Sequence, residues 1–458
     1  MRLSKLYSFA AIMLLVAILF AGPMSVPAAA QADTMQFRYN AAHTGDYGQA
    51  ASTQPNGQLR WKFTTGDHVE SAAVANGIVY VESEKLPPNN TYTATSFSEV
   101  SIHAINAANG AAVWCATKGR TAGRTFGWSP STPAIANGVV YIGGADGNVY
   151  ALNATTGDTL WVYPTGGPVY SSPAVVNGVV YVGSYDHNVY ALNATTGAKL
   201  WSYKTSGSIS SSPAVDDGVV YINSNGPLIS TRTWSEGGHL NIEQFYRGAL
   251  YSLQADTGKE NWNYTFGVTG GERSLSSPAV VNGIIYVGSG DNNVYAFNYG
   301  GEKLWNYTTA GQVLSSPAVA NGTVYVGSED WNFYAINSST GAKLWSYVIG
   351  NSTNGCISSS SPAVVNGVVY ITAGNGDLYA LDAGTGNLKW LYETGSGPGC
   401  TIMDPSPAVA DGIVYVGTYD GNVYAIGNSS GGGLIPGFEV AFAVVGLAVA
   451  AYVVSRRR

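Results

Sequence analysis

A segment of about 40 residues, typified by Ser171–Gly207 (SSPAVVNGVVYVGSYDHNVYALNATTGAKLWSYKTSG), recurs with variations along almost the whole chain. Self-similarity at a fixed spacing means that one supersecondary unit is copied and must pack against its own copies. Each copy reads as four short strands: a small-residue run (SSPAVV), an apolar run (GVVYVGS), a third run (NVYALNA) and a last strand carrying tryptophan. Four-stranded units repeated around an axis predict an all-β propeller.

Two markers count the blades. The proline of the first strand, or its substitute, falls at Ala72, Pro133, Pro173, Pro213, Pro278, Pro317, Pro362 and Pro407. The last-strand tryptophan falls at Trp61, Trp114, Trp161, Trp201, Trp262, Trp305, Trp345 and Trp390. Both give eight, but Trp61 precedes the first unit and no tryptophan follows the last. Leu59–Thr64 (LRWKFT) is therefore the fourth strand of blade 8, and pairing it there closes the ring and leaves no open edge.

The strands fit radial places. SSPAVV suits the crowded centre, where its proline is tolerable on an innermost strand without an inward partner. GVVYVGS should be covered on both faces by neighbouring blades. NVYALNA alternates apolar and polar, and the tryptophan packs between blades. Asn177-Gly178, Asn282-Gly283, Asn321-Gly322 and Asn366-Gly367 are hairpin signals, and Asp146-Gly147-Asn148 and Asp420-Gly421-Asn422 turn the second hairpin. Turn geometry accounts for these aspartates without calcium.

Residues 1–32 read as a secretory signal, with Arg2 and Lys5, a long apolar run and a small-residue end; an uncleaved anchor is the alternative. Residues 33–58 form a lead-in, 59–428 the propeller and 429–434 a Gly/Ser linker. Residues 435–458 form an apolar span ending in Arg456, Arg457 and Arg458, long enough to cross a bilayer with the arginines inside. Without the two terminal segments, 16 basic and 27 acidic side chains remain, a net charge of −11. No basic stripe is visible, so nucleic acid is not an expected partner. Nine Asn-X-Ser/Thr sequons (Asn89, Asn153, Asn193, Asn263, Asn306, Asn321, Asn337, Asn351 and Asn428) suit an exported glycoprotein, although NATTG is also simply a turn. Cys356 and Cys400 each lie between the last strand of one blade and the first of the next, on neighbouring blades. A disulfide is expected there, stabilising by about 3–4 kcal/mol. Cys115 is left over and is expected to be buried, the alternative being a free surface thiol.

The departures from the minimal repeat fall at one end of the ring. First-to-second and third-to-fourth turns share one face; second-to-third turns and blade-to-blade links share the other. Long insertions are all of the second kind: Glu82–Ile102, Ala116–Pro130 and Asn223–Gly248, with smaller expansions after Trp262, Trp345 and Trp390. Loops on a rigid scaffold are where binding usually resides. The binding-face candidates are Arg120, Arg124, Trp128, Arg232, Trp234, His239 and Arg273. Arginine with tryptophan suits carbohydrate, carboxylate or a protein surface. The bland alternative is that these loops only cover the channel mouth.

The repeat resembles the PQQ-like propeller repeat. Ala191–Trp201 (ALNATTGAKLW) and Ala335–Trp345 (AINSSTGAKLW) look like its tryptophan-docking motif, and Phe37–Gly45 (FRYNAAHTG) is similar to the lead-in of such proteins. The likeness spans about Gln36 to Asn428. That family includes quinoprotein alcohol dehydrogenases and an outer-membrane assembly scaffold lipoprotein, so the resemblance implies fold more than activity. Pro436-Gly437-Phe438, the apolar span and the arginines resemble an archaeal PGF sorting tail. This implies a protein at the outer face of the cell membrane, its tail removed by an archaeosortase and replaced by lipid.

A PQQ-dependent dehydrogenase would need a calcium-supported quinone and a carboxylate base, and many members carry adjacent cysteines. This chain has no adjacent cysteine pair, and Asp404, in a turn before Pro405, is the nearest candidate base. The histidines His43, His68, His103, His187 and His239 lack metal-ligand spacing. A glycan-modifying enzyme using Glu82, Glu84, Glu236 and Glu243 is a further alternative. The favoured reading is a non-catalytic surface module with no cofactor and no assigned catalytic or metal residue, binding a protein or glycan through its loop-rich face and held to the membrane by its tail.

Overall fold

A computed structural model describes residues 40, 42–45, 54–66, 68–85, 97–122, 131–236, 239–270, 276–349, 360–395, 405–418 and 420–428. The signal, linker and sorting tail, including Pro436, Gly437 and Phe438, lie outside the described residues, as do Cys356 and Cys400. Among the described residues no helix is long and apolar enough to cross a membrane.

The chain forms eight antiparallel blades, seven of four strands and the first of four plus the short His68–Val69, and the short innermost strands of successive blades touch one another in a closed cycle that returns from blade 8 to blade 1. Blade 3 shows the unit: Ala174–Val176, Val179–Gly183, Asn188–Asn193 and Lys199–Lys204, paired in that order. Blade 8 takes its fourth strand from the other end of the chain. Leu59–Thr64 runs antiparallel to Asn422–Gly427, with Trp61 opposite Ala425 and Lys62 opposite Tyr424. The ring is thus closed as the unpaired Trp61 requires.

There is no single core. Eight apolar clusters occupy the eight seams between blades, each built from the facing sides of two neighbours. A sheet covered on both faces must be apolar on both, which explains the continuous Val-Val-Tyr-Val runs. It also corrects the reading of the third strand: Val189, Tyr190, Ala191 and Leu192 are all buried, so the run is sandwiched and does not alternate.

The tryptophans fasten neighbouring blades. Each indole N–H donates to a turn carbonyl of the next blade at 2.8–3.0 Å, as in Trp161 to Ala194 and Trp262 to Tyr299. A left-handed glycine lies flat on each ring; a Cβ on Gly197 would stand 2.7 Å from Trp161. Only glycine combines that backbone conformation with so close an approach.

The innermost strands are shorter than SSPAVV suggests. Only the last three residues pair; the Ser-Ser-Pro before them serves a different purpose. Backbone N–H groups of Thr132, Ser172, Ser212, Ser277, Ser316, Ser361 and Ser406 donate to the hydroxyls of Ser172, Ser212, Ser277, Ser316, Ser361, Ser406 and Ser71, at 2.8–3.1 Å. These bonds form a belt from blade to blade around the axis. The second serine is therefore a hydrogen-bonding part, and its small size is secondary.

Two insertions are strands, not loops. Blade 1 extends to Ile78–Lys85, Phe97–Asn106 and Ala112–Ala122. In blade 4, Leu228–Glu236 and His239–Tyr246 form a hairpin, joined by Thr269–Gly270 into a separate three-stranded sheet. Cys115 is exposed, correcting the expectation of burial. It sits on an outermost strand, where the side chain next to an inward tryptophan faces solvent.

Candidate functional site

The two faces of the ring differ in kind. On the plain face all eight first-to-second turns are Asn-Gly or Asp-Gly with both residues left-handed, from Asn76-Gly77 to Asp411-Gly412. The third-to-fourth turns saturate themselves: the Oδ1 atoms of Asn153, Asn193 and Asn337 accept backbone N–H groups two and three residues on. Three sequon asparagines are thus also turn caps.

On the opposite face, six blades keep a minimal second-to-third turn. In five of them the aspartate is engaged by the turn, and in blade 7 Asn375 takes that place. Asp186 accepts the N–H of Gly166 at 2.7 Å, the N–H of Asn188 at 2.9 Å and the hydroxyl of Tyr190 at 2.6 Å. Burial opposes its ionisation, but these bonds outweigh burial and hold the carboxyl below the ordinary carboxylate range. Asp330 repeats the pattern with Ala310, Asn332 and Tyr334. The next residue is left-handed in all six: Gly147, His187, Asn292, Trp331, Gly376 and Gly421. Trp331 is the outlier, with φ 66° and 41% of its surface exposed.

Blade 1 departs most. Glu82 stands where five blades carry Gly143, Gly183, Gly288, Gly327 and Gly417, and Glu70 where six carry a serine. In the ordinary arrangement the serine hydroxyl accepts the N–H of that glycine, as in Gly183 to Ser171 at 3.0 Å. Here the backbone N–H of Glu70 donates to the carbonyl of Glu82 at 3.1 Å, and Glu84 follows on the same side of the strand. All three are buried, and Glu82 is fully so, with neither carboxyl oxygen hydrogen-bonded. Burial, then the nearby Glu70, Glu84 and Asp146, push the Glu82 carboxyl well above the ordinary range, which favours its protonated form. On the other side of the same strands, His103 Nε2 lies 2.9 Å from the Ser83 hydroxyl, and burial pushes this imidazole down to about 4.

Arg232 is exposed and faces Glu243 in the hairpin register, and Trp234 and His239 lie on the same hairpin. Arg120 lies on the extended fourth strand of blade 1, opposite Glu99. Arg124, Trp128 and Arg273 lie outside the described residues. Glu236 and Glu243 belong to the blade 4 hairpin, whereas Glu82 and Glu84 sit in blade 1 beside Glu70. Sequence reasoning missed Trp331 and Glu70. The signal for both was a break in the repeat: tryptophan at a glycine position and glutamate at a serine position.

The lead-in occupies the channel wall. The carbonyls of Ala42, Thr44 and Gly45 accept the N–H groups of Val280, Val319 and Val364, at 2.8, 2.7 and 2.9 Å, on the innermost strands of blades 5, 6 and 7. His43 between them is fully buried and left-handed. Among the described residues no three carboxylate, imidazole or thiolate side chains converge in a way that could hold a metal ion. Among the described residues the aspartates of the minimal turns serve those turns and the lead-in lines the wall at blades 5–7, while Asp404 lies outside the described residues.

No curated protein sequence matches the chain. Residues 435–458 match the model of the PGF-CTERM motif, an archaeal cell-surface anchoring signal, which makes this an exported protein anchored through its C-terminal tail. Solved propellers share the fold at low identity. A europium-containing methanol dehydrogenase is 15% identical with a TM-score of 0.65, covering 86% of this chain and 98% of that one. The quinohemoprotein alcohol dehydrogenase of Comamonas testosteroni is 15% identical with a TM-score of 0.64, covering 88% and 81%. BamB from Moraxella catarrhalis is 16% identical with a TM-score of 0.56, covering 81% and 100%. The PQQ_2 model, described as outer membrane protein assembly factor BamB, matches residues 98–266 and 246–437, more than half of the sequence, and the chain therefore belongs to that family of PQQ-like repeat propellers.

Proposed function

We propose that this protein is a non-catalytic binding module, anchored at the cell surface, that takes an extracellular partner on its loop-rich face. One observation carries the reading: every addition to the minimal blade falls at one end of the ring, while the eight tight turns of the other end are alike and satisfied internally. Elaboration confined to one rim of a rigid scaffold is the arrangement of a recognition surface. The last propeller strand, Asn422–Gly427, ends at the plain face beside Gln58, so the tail departs from there. The plain face then looks toward the membrane and the decorated face outward.

The test is a glycan and surface-protein binding screen with the ectodomain, repeated after replacing residues 227–247 by a minimal four-residue turn. Binding that this replacement weakens supports the reading. Stoichiometric uptake of added PQQ and calcium with dye reduction contradicts it.

A further inference from the structure

Eight of the eleven tryptophans fasten blades, and the remaining three, Trp128, Trp234 and Trp331, all fall in links or second-to-third turns on the decorated face. Trp331 is the one whose side chain can be placed. It occupies a position that three equivalent turns fill with glycine, yet is left-handed at φ 66°. For a bulky residue that conformation costs about 1–2 kcal/mol. Among the described residues nothing repays the strain. Its backbone N–H and carbonyl make the bonds any residue would make there, to Ser328 and Ile349, and its indole has no hydrogen bond or ring contact among the described residues. An exposed, strained aromatic without a structural duty points to a ligand.

The surroundings define that ligand. The backbone links Asn292 to Thr309 at 2.8 Å and Ala310 to Asp330 at 2.9 Å, so the turns of blades 5 and 6 and the strand link between them form one surface around Trp331. Its side chains are short and polar, and the segments 289–292, 309–313, 328–331 and 373–377 contain Asp291, Glu329, Asp330 and Asp377 but no lysine or arginine. Within these segments no other large apolar side chain of a described residue is exposed, and on the strand paired with the Trp331 turn Val348, opposite Asn332, is exposed. A protein hot spot is normally ringed by further apolar contacts. A flat ring with one exposed aliphatic neighbour, framed by hydroxyl, amide and carboxylate groups, instead suits the C–H face of a sugar, with acceptors for its hydroxyls. The acidic frame repels anionic polymers.

We propose that Trp331 is a stacking platform for a neutral polysaccharide. This rests on the reading of the decorated face as the binding surface and names its ligand class. The full ectodomain and its Trp331→Gly and Trp331→Phe variants are run by affinity electrophoresis in laminarin, yeast mannan and polygalacturonate, and melted in parallel. Glycine is native to this turn position, so Trp331→Gly should melt no lower than the parent. The expected result is retardation by at least one neutral polymer, weakened tenfold or more in Trp331→Gly and retained in part in Trp331→Phe, with none in polygalacturonate. Equal retardation of parent and Trp331→Gly, retardation only by polygalacturonate, or none by either neutral polymer overturns the platform. Binding that survives Trp331→Gly but is lost when residues 227–247 are replaced also overturns it, while leaving the decorated-face reading intact. A surface protein bound through Trp331 in place of any polysaccharide would overturn the carbohydrate assignment alone.

Discussion

The indole N–H of Trp390 donates to the carbonyl of Pro55, 3.0 Å away and 335 residues earlier in the chain. Seven other blade tryptophans make this bond to a continuous turn of the next blade; the turn that receives Trp390 is broken. Asn428 ends one half, Pro55-Asn56-Gly57 supplies the other, and Gly57 lies against the Trp390 ring as Gly197 lies against Trp161. The lead-in thus rebuilds a missing turn before it supplies a missing strand. The substitution is imperfect: the Tyr370 hydroxyl, whose counterpart Tyr325 donates to Ala383 beside Trp345, is buried without a partner among the described residues.

Gly57→Ala should therefore destabilise the whole ring. Its Cβ would stand 3.0 Å from Trp390 on a left-handed backbone. Gly66, also left-handed but with nothing within 4 Å, isolates the backbone contribution. We expect about 1–3 kcal/mol lost at Gly57 and no more than about 1 kcal/mol at Gly66, read from urea unfolding. Equal losses would show that the ring contact is unimportant.

The serine belt makes an asymmetric prediction. Ser277→Ala strips the buried N–H of Ser212 of its acceptor, now 2.9 Å away, and should cost about 1–3 kcal/mol. The Ser315 hydroxyl is buried without a partner, so Ser315→Ala should be neutral or stabilising. Thermal melts of the two variants decide; a greater loss at Ser315 would contradict the belt.

Glu82 gives stability a pH dependence of definite sign. Its carboxyl binds a proton more tightly folded than unfolded, so this contribution is full below the ordinary value of 4.5 and declines as pH rises toward the raised folded value. The slope reaches about 1.4 kcal/mol per pH unit for one proton. Glu82→Gln, uncharged throughout, should flatten the decline above pH 4.5 and be the more stable protein at its upper end. Parallel curves for parent and variant would contradict the burial of an unpaired carboxyl.

The thiols can be counted. Cys115 is exposed, and partial burial pushes its thiol up against a smaller opposing effect of the Ser101 side chain. Maleimide should label one site per native, unreduced chain, faster as pH rises, and all three after reduction and unfolding. Three labels without reductant would exclude the proposed Cys356–Cys400 bond; none would contradict the exposure of Cys115.

Trp61 alone exposed the spare strand in the sequence, because a motif counted eight times left one copy out of order. The same register contained the broken turn: Gly57 precedes Trp61 by four residues, as Gly197 precedes Trp201 and Gly341 precedes Trp345. What pattern reading could not reach was non-local. That Glu70, Glu82 and Glu84 share one buried place depends on how a short strand, His68–Val69, folds back on the outer end of Ile78–Lys85. The belt was hidden because serine at a crowded axis is explained equally well by size. Trp331 was visible only as a break in the repeat at a position that varies among Gly, His and Asn, and its left-handed backbone became plain only in the structure.

Hydrogen–deuterium exchange on the intact ectodomain tests the closed ring, and with it the two-faced architecture, most directly. Amides of Leu59–Thr64, paired with Asn422–Gly427, should be protected as strongly as those of Lys199–Lys204, the same strand of an uninterrupted blade. Exchange of Leu59–Thr64 at the rate of an unstructured segment, with Lys199–Lys204 still protected, would contradict the account.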